Sequence, residues 1–214
     1  MAKELFCKLL LLRRGPVVEP WDQLALGRSN PALRPEARKL EVSVLAELLE
    51  HKPSRVLTSD LRRASVSAKR LAEELGASLA VLRDLRERDL GQFDGKRWSE
   101  LVIREGELAL PFLANFCEAR PPAGETLAEM QKRVVKAVWA EGRRRQRQTL
   151  LYVGHAGPIR AILAHTLQLS LQDVQRFQLD PFSLSIVDVR GDNSLLRLLN
   201  APLTGESGTL EPEG

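Results

Sequence analysis

The chain has 214 residues, of which 43% are hydrophobic and 28% charged, an ordinary composition for one α/β domain with its own core. The net charge of +4 suits an anionic ligand, whereas 5% aromatic residues and the lack of a nucleic-acid motif predict no nucleic-acid partner. The apolar run from Leu9 to Leu12 is too short for a membrane span, and Cys7 and Cys117 match no metal spacing. We therefore expect a reduced cytoplasmic protein without a membrane partner.

The first half of the chain alternates short apolar runs with helical patterns. Residues 5–12 are nearly all apolar and stop at a Gly-Pro pair, which is typical of a buried strand that enters a loop. The elements predicted after it are a helix at 35–50, a strand at 55–58, a helix ending near Leu75 and capped by Ser59 or Asp60, a strand at 79–82 and a turn-rich loop at 85–95.

The second half continues the alternation and completes the predicted fold. Its predicted elements are a helical region at 98–117 interrupted by Gly106 and Pro111, a helix at 124–145, a strand at 149–153, a helix at 158–167 and closing strands at 183–189 and 194–199. This order predicts an α/β three-layer sandwich, a mostly parallel sheet with helices on both faces. We predict one domain over 1–203 with a helical insert at 97–118, and a disordered tail at 204–214.

Polar motifs stand directly after the predicted strands, where open α/β sheets bind their ligands. Four of them matter, and they are Leu12-Arg13-Arg14-Gly15, Ser59-Asp60-Leu61-Arg62-Arg63-Ala64, Leu85-Arg86-Glu87 with the loop that follows to Gly95, and Gly154-His155-Ala156-Gly157-Pro158-Ile159-Arg160.

These motifs resemble, in order, those of the histidine phosphatase superfamily, which has the phosphoglycerate-mutase-like fold. The family motifs are Arg-His-Gly, Ser-x-Leu-x-Arg-Ala, Leu-x-Glu and Gly-His-Gly-Gly-x-Ile-Arg, and residues 121–126 resemble its Pro-Gly-Gly-Glu-Ser stretch. The resemblance covers about residues 5 to 200. The Leu-Arg-Glu loop and residues 179–185 are most similar to the alpha-ribazole phosphatase and small-phosphatase branch.

The resemblance implies a phosphatase site without a metal or a cofactor. In the family, a histidine attacks phosphorus, two arginines and a second histidine hold the phosphoryl oxygens, and a carboxylic acid protonates the leaving oxygen. By position, Arg13, Arg63 and His155 are implied as the phosphate-binding residues, and Glu87 as the proton donor. The guanidinium fork suits this task because its geometry matches that of a phosphoryl group.

Position 14 departs from the family pattern, because Arg14 stands where the nucleophilic histidine is expected. A protonated guanidinium has no nucleophilic lone pair, and loss of a nucleophile can cost about 10⁶ in turnover. Arg14 is well suited to bind phosphate, or it could pair with Glu87, and the sequence leaves both interpretations open.

Three functions remain open at this point. The first is a pseudoenzyme that binds a small phosphorylated ligand or inorganic phosphate. The second is an active phosphomonoesterase, on alpha-ribazole phosphate or another small ester, that uses water or His155. The third is a structural or oligomerising protein with a vestigial pocket, and a homodimer is open in any case. Simpler interpretations also exist, in which Arg13, Arg14 and Glu87 are solvated surface charges. In the helix that ends near Leu75, the pocket residue could also be Arg62 in place of Arg63.

Overall fold

A computed structural model of the chain describes residues 6–104, 106–190 and 193–202, and their strands form one central sheet. The strands are β1 (Cys7–Arg13), β2 (Arg55–Thr58), β3 (Ser78–Val81), β4 (Thr149–Gly154), β5 (Leu184–Val189) and β6 (Leu195–Ala201). Their order across the sheet is β3-β2-β4-β1-β5-β6. The first four pair in parallel, whereas β5 runs antiparallel to β1 and β6 antiparallel to β5. The predicted mostly parallel sheet is confirmed.

Helices cover both faces of this sheet, as predicted. They are α1 (Ala37–His51), α2 (Arg62–Glu74), α3 (Trp98–Arg104), α4 (Gly106–Ala114), α5 (Leu127–Arg144) and α6 (Ala156–Thr166). Successive side chains of a strand point to opposite faces. Accordingly, Leu10 and Leu12 of β1 belong to the core beneath α1 and α2, while Leu9 and Leu11 belong to the core beneath α5 and α6.

The helical region after β3 forms a smaller cluster of its own. Helices α3 and α4 bury Leu101, Ala109 and Phe112 against Phe93 and Ala25 rather than against the sheet. These helices therefore pack on the loops that contain Ala25 and Phe93.

Two local predictions were wrong. The N-cap of α2 is Leu61 and not Ser59 or Asp60, because the Ser59 hydroxyl bonds to His155 and the Asp60 carboxylate pairs with Arg86. Pro111 does not interrupt its helix but lies inside α4, with its ring on an exposed position. The proline removes one helical hydrogen bond and crowds the carbonyl four residues earlier, but the burial of Ala109 and Phe112 on either side of it stabilises the helix.

The remaining helix predictions agree closely with the structure. Helix α5 begins at Leu127, after the capping box between Thr126 and Glu129, three residues later than predicted. The predicted tail at 204–214 lies outside the described residues. Within the described ranges, none of the helices has the length and apolar character needed to cross a lipid bilayer.

Candidate active site

The carboxyl ends of three neighbouring strands bring the predicted residues together. Arg13 at the end of β1 lies opposite Gly154 at the end of β4, and Thr58 at the end of β2 lies opposite Val153. The residues that follow these strands, Arg14, Ser59 and His155, therefore meet at one edge of the sheet. The backbone N–H of Arg14 also donates to the carbonyl of Gly154, at 2.7 Å.

His155 is a buried, neutral imidazole at the centre of this edge. Its Nε2 lies 2.7 Å from Ser59 Oγ, and its Nδ1 is buried with no hydrogen-bond partner among the described residues. Burial first, and then the charges of Arg63, Arg14 and other arginines, hold the pKa of His155 well below 6.5. The ring is therefore unprotonated at neutral pH.

The three predicted arginines surround the imidazole, and each donates to a backbone carbonyl. Arg13 donates to the carbonyl of Leu179, Arg14 to that of Gly15 at 2.6 Å, and Arg63 to those of Gly27 and Ser29.

Of the two candidates on α2, Arg63 is the buried one, at 1% exposure, while Arg62 is exposed. The structure thus brings Arg63 into the group and leaves Arg62 outside it.

The arginine charges are crowded in this site. Burial lowers the pKa of Arg13 and of Arg63. It lowers the pKa of Arg14 as well, and repulsion from Arg63 and Arg13 lowers it further, to about 9, because the charge of Glu87 offsets only part of these effects. Closely spaced cations in a poorly solvated pocket attract a multiply charged anion, because the anion relieves their repulsion.

Glu87 is half-buried and held in place by two backbone N–H groups. Its Oε1 accepts from Arg88 at 2.8 Å, and its Oε2 accepts from Gly157 at 3.1 Å. A Cβ atom at position 157 would lie 2.0 Å from Oε1, so this approach requires glycine. Its charge also acts on Arg13, Arg14 and Arg63, so Glu87 lies half-buried beside these arginines rather than free in solvent.

Residues without a predicted role hold the Glu87 loop in place. Arg133 of α5 donates to the carbonyls of Asp84, Arg86 and Glu87 at 2.7 to 3.0 Å and pairs with the Glu125 carboxylate. Because Glu125 lies within the motif at 121–126, the sequence could have indicated a role for Glu125 in the site.

A second carboxylate fixes the loop on which Arg63 rests. Asp94 accepts hydrogen bonds from the backbone N–H groups of Gly27, Arg28 and Ser29 at 2.7 to 2.9 Å. Nothing in the sequence pattern indicated this contact, because its partners are more than 60 residues apart.

Tyr152 supports the site from below. Its hydroxyl donates to the Leu85 carbonyl at 3.1 Å and accepts from the backbone N–H of His155 at 3.2 Å. A Cβ atom on Gly154 would lie 2.0 Å from this ring, so the strand can pass over the tyrosine only with glycine there.

Two cavities differ in their relation to this site. One of about 220 Å³ adjoins it and is lined in part by Glu87, Gly157 and Arg160. A larger one of about 660 Å³ lies at the opposite end of β1, around Trp139 and His165. The smaller cavity shares Glu87 and Gly157 with the candidate site, whereas the larger one shares no residue with it.

Comparison with known proteins places this geometry in a family. The chain is 32% identical over 201 residues to a bifunctional protein of Mycobacterium tuberculosis; the alignment covers 90% of this chain but only 53% of that protein. It is 25% identical over 162 residues to an adenosylcobalamin/alpha-ribazole phosphatase of Salmonella typhimurium, with coverage of 75% and 80% respectively. This chain thus spans about half the length of the mycobacterial relative.

The fold matches solved structures of phosphatases. An alpha-ribazole phosphatase from Shigella flexneri superposes with a TM-score of 0.81 at 22% identity, covering 94% of this chain and all of that one. The family model for the histidine phosphatase superfamily, branch 1, matches residues 9–202. The chain belongs to the histidine phosphatase superfamily.

Proposed function

We propose that this protein binds phosphate monoesters at the carboxyl edge of its sheet, and that its phosphatase activity is lost or strongly reduced. One observation carries the proposal: the guanidinium of Arg14 is buried beside Arg13, Arg63 and His155. The family resemblance implies that this is the position of the nucleophile. In this proposal those residues hold the phosphoryl oxygens, and Glu87 faces the leaving oxygen.

The crowding of the arginines supports the binding half of the proposal. The guanidinium groups donate to the carbonyls of loop residues, contacts that a charged phosphoryl group can replace with stronger, charge-assisted hydrogen bonds. A phosphate dianion would also raise the depressed pKa values of the arginines again. Both effects favour the bound state over the empty one.

The protonation of Arg14 supports the loss of turnover. With a pKa of about 9, the guanidinium is unprotonated in only about 1% of molecules at pH 7. It therefore cannot supply the lone pair that attacks phosphorus. Direct attack by water on the bound ester would remain, at a rate reduced by several powers of ten.

A second candidate function is an active phosphomonoesterase, and the state of His155 favours it. Its unprotonated imidazole is a candidate general base, and it lies in the same site as Glu87, the residue that the family resemblance implies as the proton donor. In this case His155 would assist an attacking water molecule, and the esters named for the relatives, alpha-ribazole phosphate among them, are the first substrates to try.

A parallel hydrolysis assay decides between these functions. A panel of phosphate monoesters, including 4-nitrophenyl phosphate and alpha-ribazole phosphate, is offered to the wild type and to Arg14→His. The proposal expects turnover from Arg14→His alone. Comparable turnover by the wild type, lost in His155→Ala, would instead establish the second candidate.

Direct binding of inorganic phosphate tests the site itself. Isothermal titration calorimetry is expected to detect saturable binding to the wild type that is weakened at least tenfold in Arg63→Ala. The matched control is Arg62→Ala, which removes the neighbouring but exposed arginine and should leave the affinity unchanged. Equal effects of the two substitutions would contradict the proposed site.

A further inference from the structure

The cavity of about 220 Å³ beside Glu87 has charged and apolar lining residues. Glu87, Arg88, Arg160 and Gln175 are its polar residues, and it shares Glu87 and Gly157 with the candidate site. Most of the remaining lining is apolar and consists of Leu26, Leu90, Trp98, Phe116, Leu127, Met130 and Val174. We call this space the apolar chamber.

Three of the apolar residues that line the chamber come from separate parts of the chain. Leu26 lies in the loop after the first motif, Trp98 begins α3, and Phe116 follows α4. All three are only half-buried, although the deeper residues Leu127 and Met130 are buried. Apolar side chains that converge on an enclosed space and leave part of their surface uncovered are typical of small-molecule sites.

Arg88 also lines the chamber, and its contacts hold the aromatic residue Phe116 in place. Its guanidinium donates to the carbonyls of Phe116, Ala119 and Glu125 at 2.7 to 2.9 Å. It also lies over the Phe116 ring, 4.7 Å from the ring centre. The position of Phe116 is therefore fixed before any ligand arrives, which lowers the entropic cost of binding.

The chamber and the arginine site meet at Glu87. This carboxylate lines the chamber, and its charge acts on both Arg160 of the chamber and Arg14 of the phosphate site. A phosphate ester whose phosphoryl group lies among the arginines would thus have its bridging oxygen near Glu87 and its alcohol portion in the chamber.

We propose that the apolar chamber selects phosphate monoesters of apolar alcohols with one or two rings. The inference rests on the proposed function, because it needs the phosphoryl group to be held by the arginines. The size of the chamber sets the limit on the alcohol: an apolar protein cavity of about 150 Å³ can hold benzene, and this one has about 220 Å³. It is smaller than the cavities that enclose drug-sized ligands.

Non-hydrolysable probes test the chamber independently of catalysis. Calorimetric titrations compare inorganic phosphate, methylphosphonate and benzylphosphonate on the wild-type protein. Burial of the phenyl ring is expected to make benzylphosphonate bind about tenfold or more tightly than methylphosphonate. Trp98→Ala should remove most of this advantage and leave the affinity for inorganic phosphate within about twofold of the wild type. The matched control is Ile103→Ala on the same helix, whose side chain is 81% exposed, and it should change neither affinity.

The outcomes separate this inference from the proposed function. If inorganic phosphate binds but benzylphosphonate binds no more tightly than methylphosphonate, the chamber is not a ligand site and the proposed function stands. If none of the three probes binds, the inference about the chamber and the proposed function are both overturned. If Trp98→Ala fails to fold by circular dichroism, Leu26→Trp decides instead, because it fills the chamber. Benzylphosphonate affinity unchanged in Leu26→Trp would overturn the inference.

Discussion

Replacement of Arg14 by methionine should stabilise the ligand-free protein, although it removes a residue from the candidate site. Arg14 is only 9% exposed and carries its charge next to those of Arg13 and Arg63. Methionine has a similar length and no charge, so it relieves the repulsion and keeps much of the packing. Sites that bind charged ligands often lower the stability of the empty protein in this way.

The depressed pKa of Arg14 gives the size of the effect. The pKa of Arg14 falls from the ordinary value of an arginine to about 9, and at about 1.4 kcal/mol per pH unit the buried charge costs up to about 5 kcal/mol. Methionine loses the hydrogen bond to the Gly15 carbonyl and some packing, which together offset about 3 kcal/mol of this gain. We expect a net gain of about 2 kcal/mol, which raises the melting temperature by roughly 4–8 °C.

The pH dependence of this gain has a definite sign. Because the pKa of Arg14 is lower in the folded protein, the unfolded chain holds the proton more tightly. The cost of the charge is therefore fully present below pH 9 and disappears as the pH rises from about 9 toward the ordinary pKa of an arginine. The stability difference between Arg14→Met and the wild type should be constant from pH 6 to 8 and should shrink above pH 9.

Urea denaturation in phosphate-free buffer measures this difference, with Arg62→Met as the control. Arg62 is exposed, so its replacement should change the free energy of unfolding by less than about 0.5 kcal/mol. Phosphate should stabilise the wild type more than Arg14→Met, since the ligand binds the folded state of the former more tightly. A variant that is less stable than the wild type at pH 7 would refute the electrostatic reasoning.

Three further predictions concern two residues of the site and a buried thiol at the other end of β1. As the pH falls below 6.5, the free energy of unfolding should fall by up to about 1.4 kcal/mol per pH unit. The reason is that burial and the arginines keep His155 neutral in the folded protein, whereas the unfolded chain takes up the proton. Urea denaturation of His155→Asn should show a smaller dependence of this free energy on pH. In the Arg14→His background, Gly157→Ala should lower kcat about tenfold or more by displacing Glu87, and an unchanged kcat would contradict the assigned contact. Burial raises the pKa of Cys7 to about 12, so maleimide should label it only after unfolding, as mass spectrometry can determine.

The strands and the edge where the site lies could be predicted from the sequence because both depend on local patterns. Continuous apolar runs such as residues 149–153 predict strands that are buried on both faces, and parallel strands place their carboxyl ends at one edge. The choice of Arg63 over Arg62 followed from its spacing to Ala64 in the motif. The structure agrees, since only Arg63 points into the protein.

The contacts that fix the site could not be predicted, because each depends on a distant partner. Ser59 has the residue type and position of a helix cap, yet its hydroxyl bonds to His155, 96 residues away. Gly157 fits an ordinary helix start, and only the fold brings Glu87 against it. Local propensity contains no information about such partners.

The long sequence separation of these contacts has a consequence for folding kinetics. Ser59 and His155 are 96 residues apart, and Glu87 and Gly157 are 70 apart, so the site is complete only after the central strands have paired. Closing such long loops is slow, and contacts of this kind tend to form after the folding transition state. A ligand that recognises the finished site then binds too late to speed folding, and its stabilisation appears almost entirely as slower unfolding.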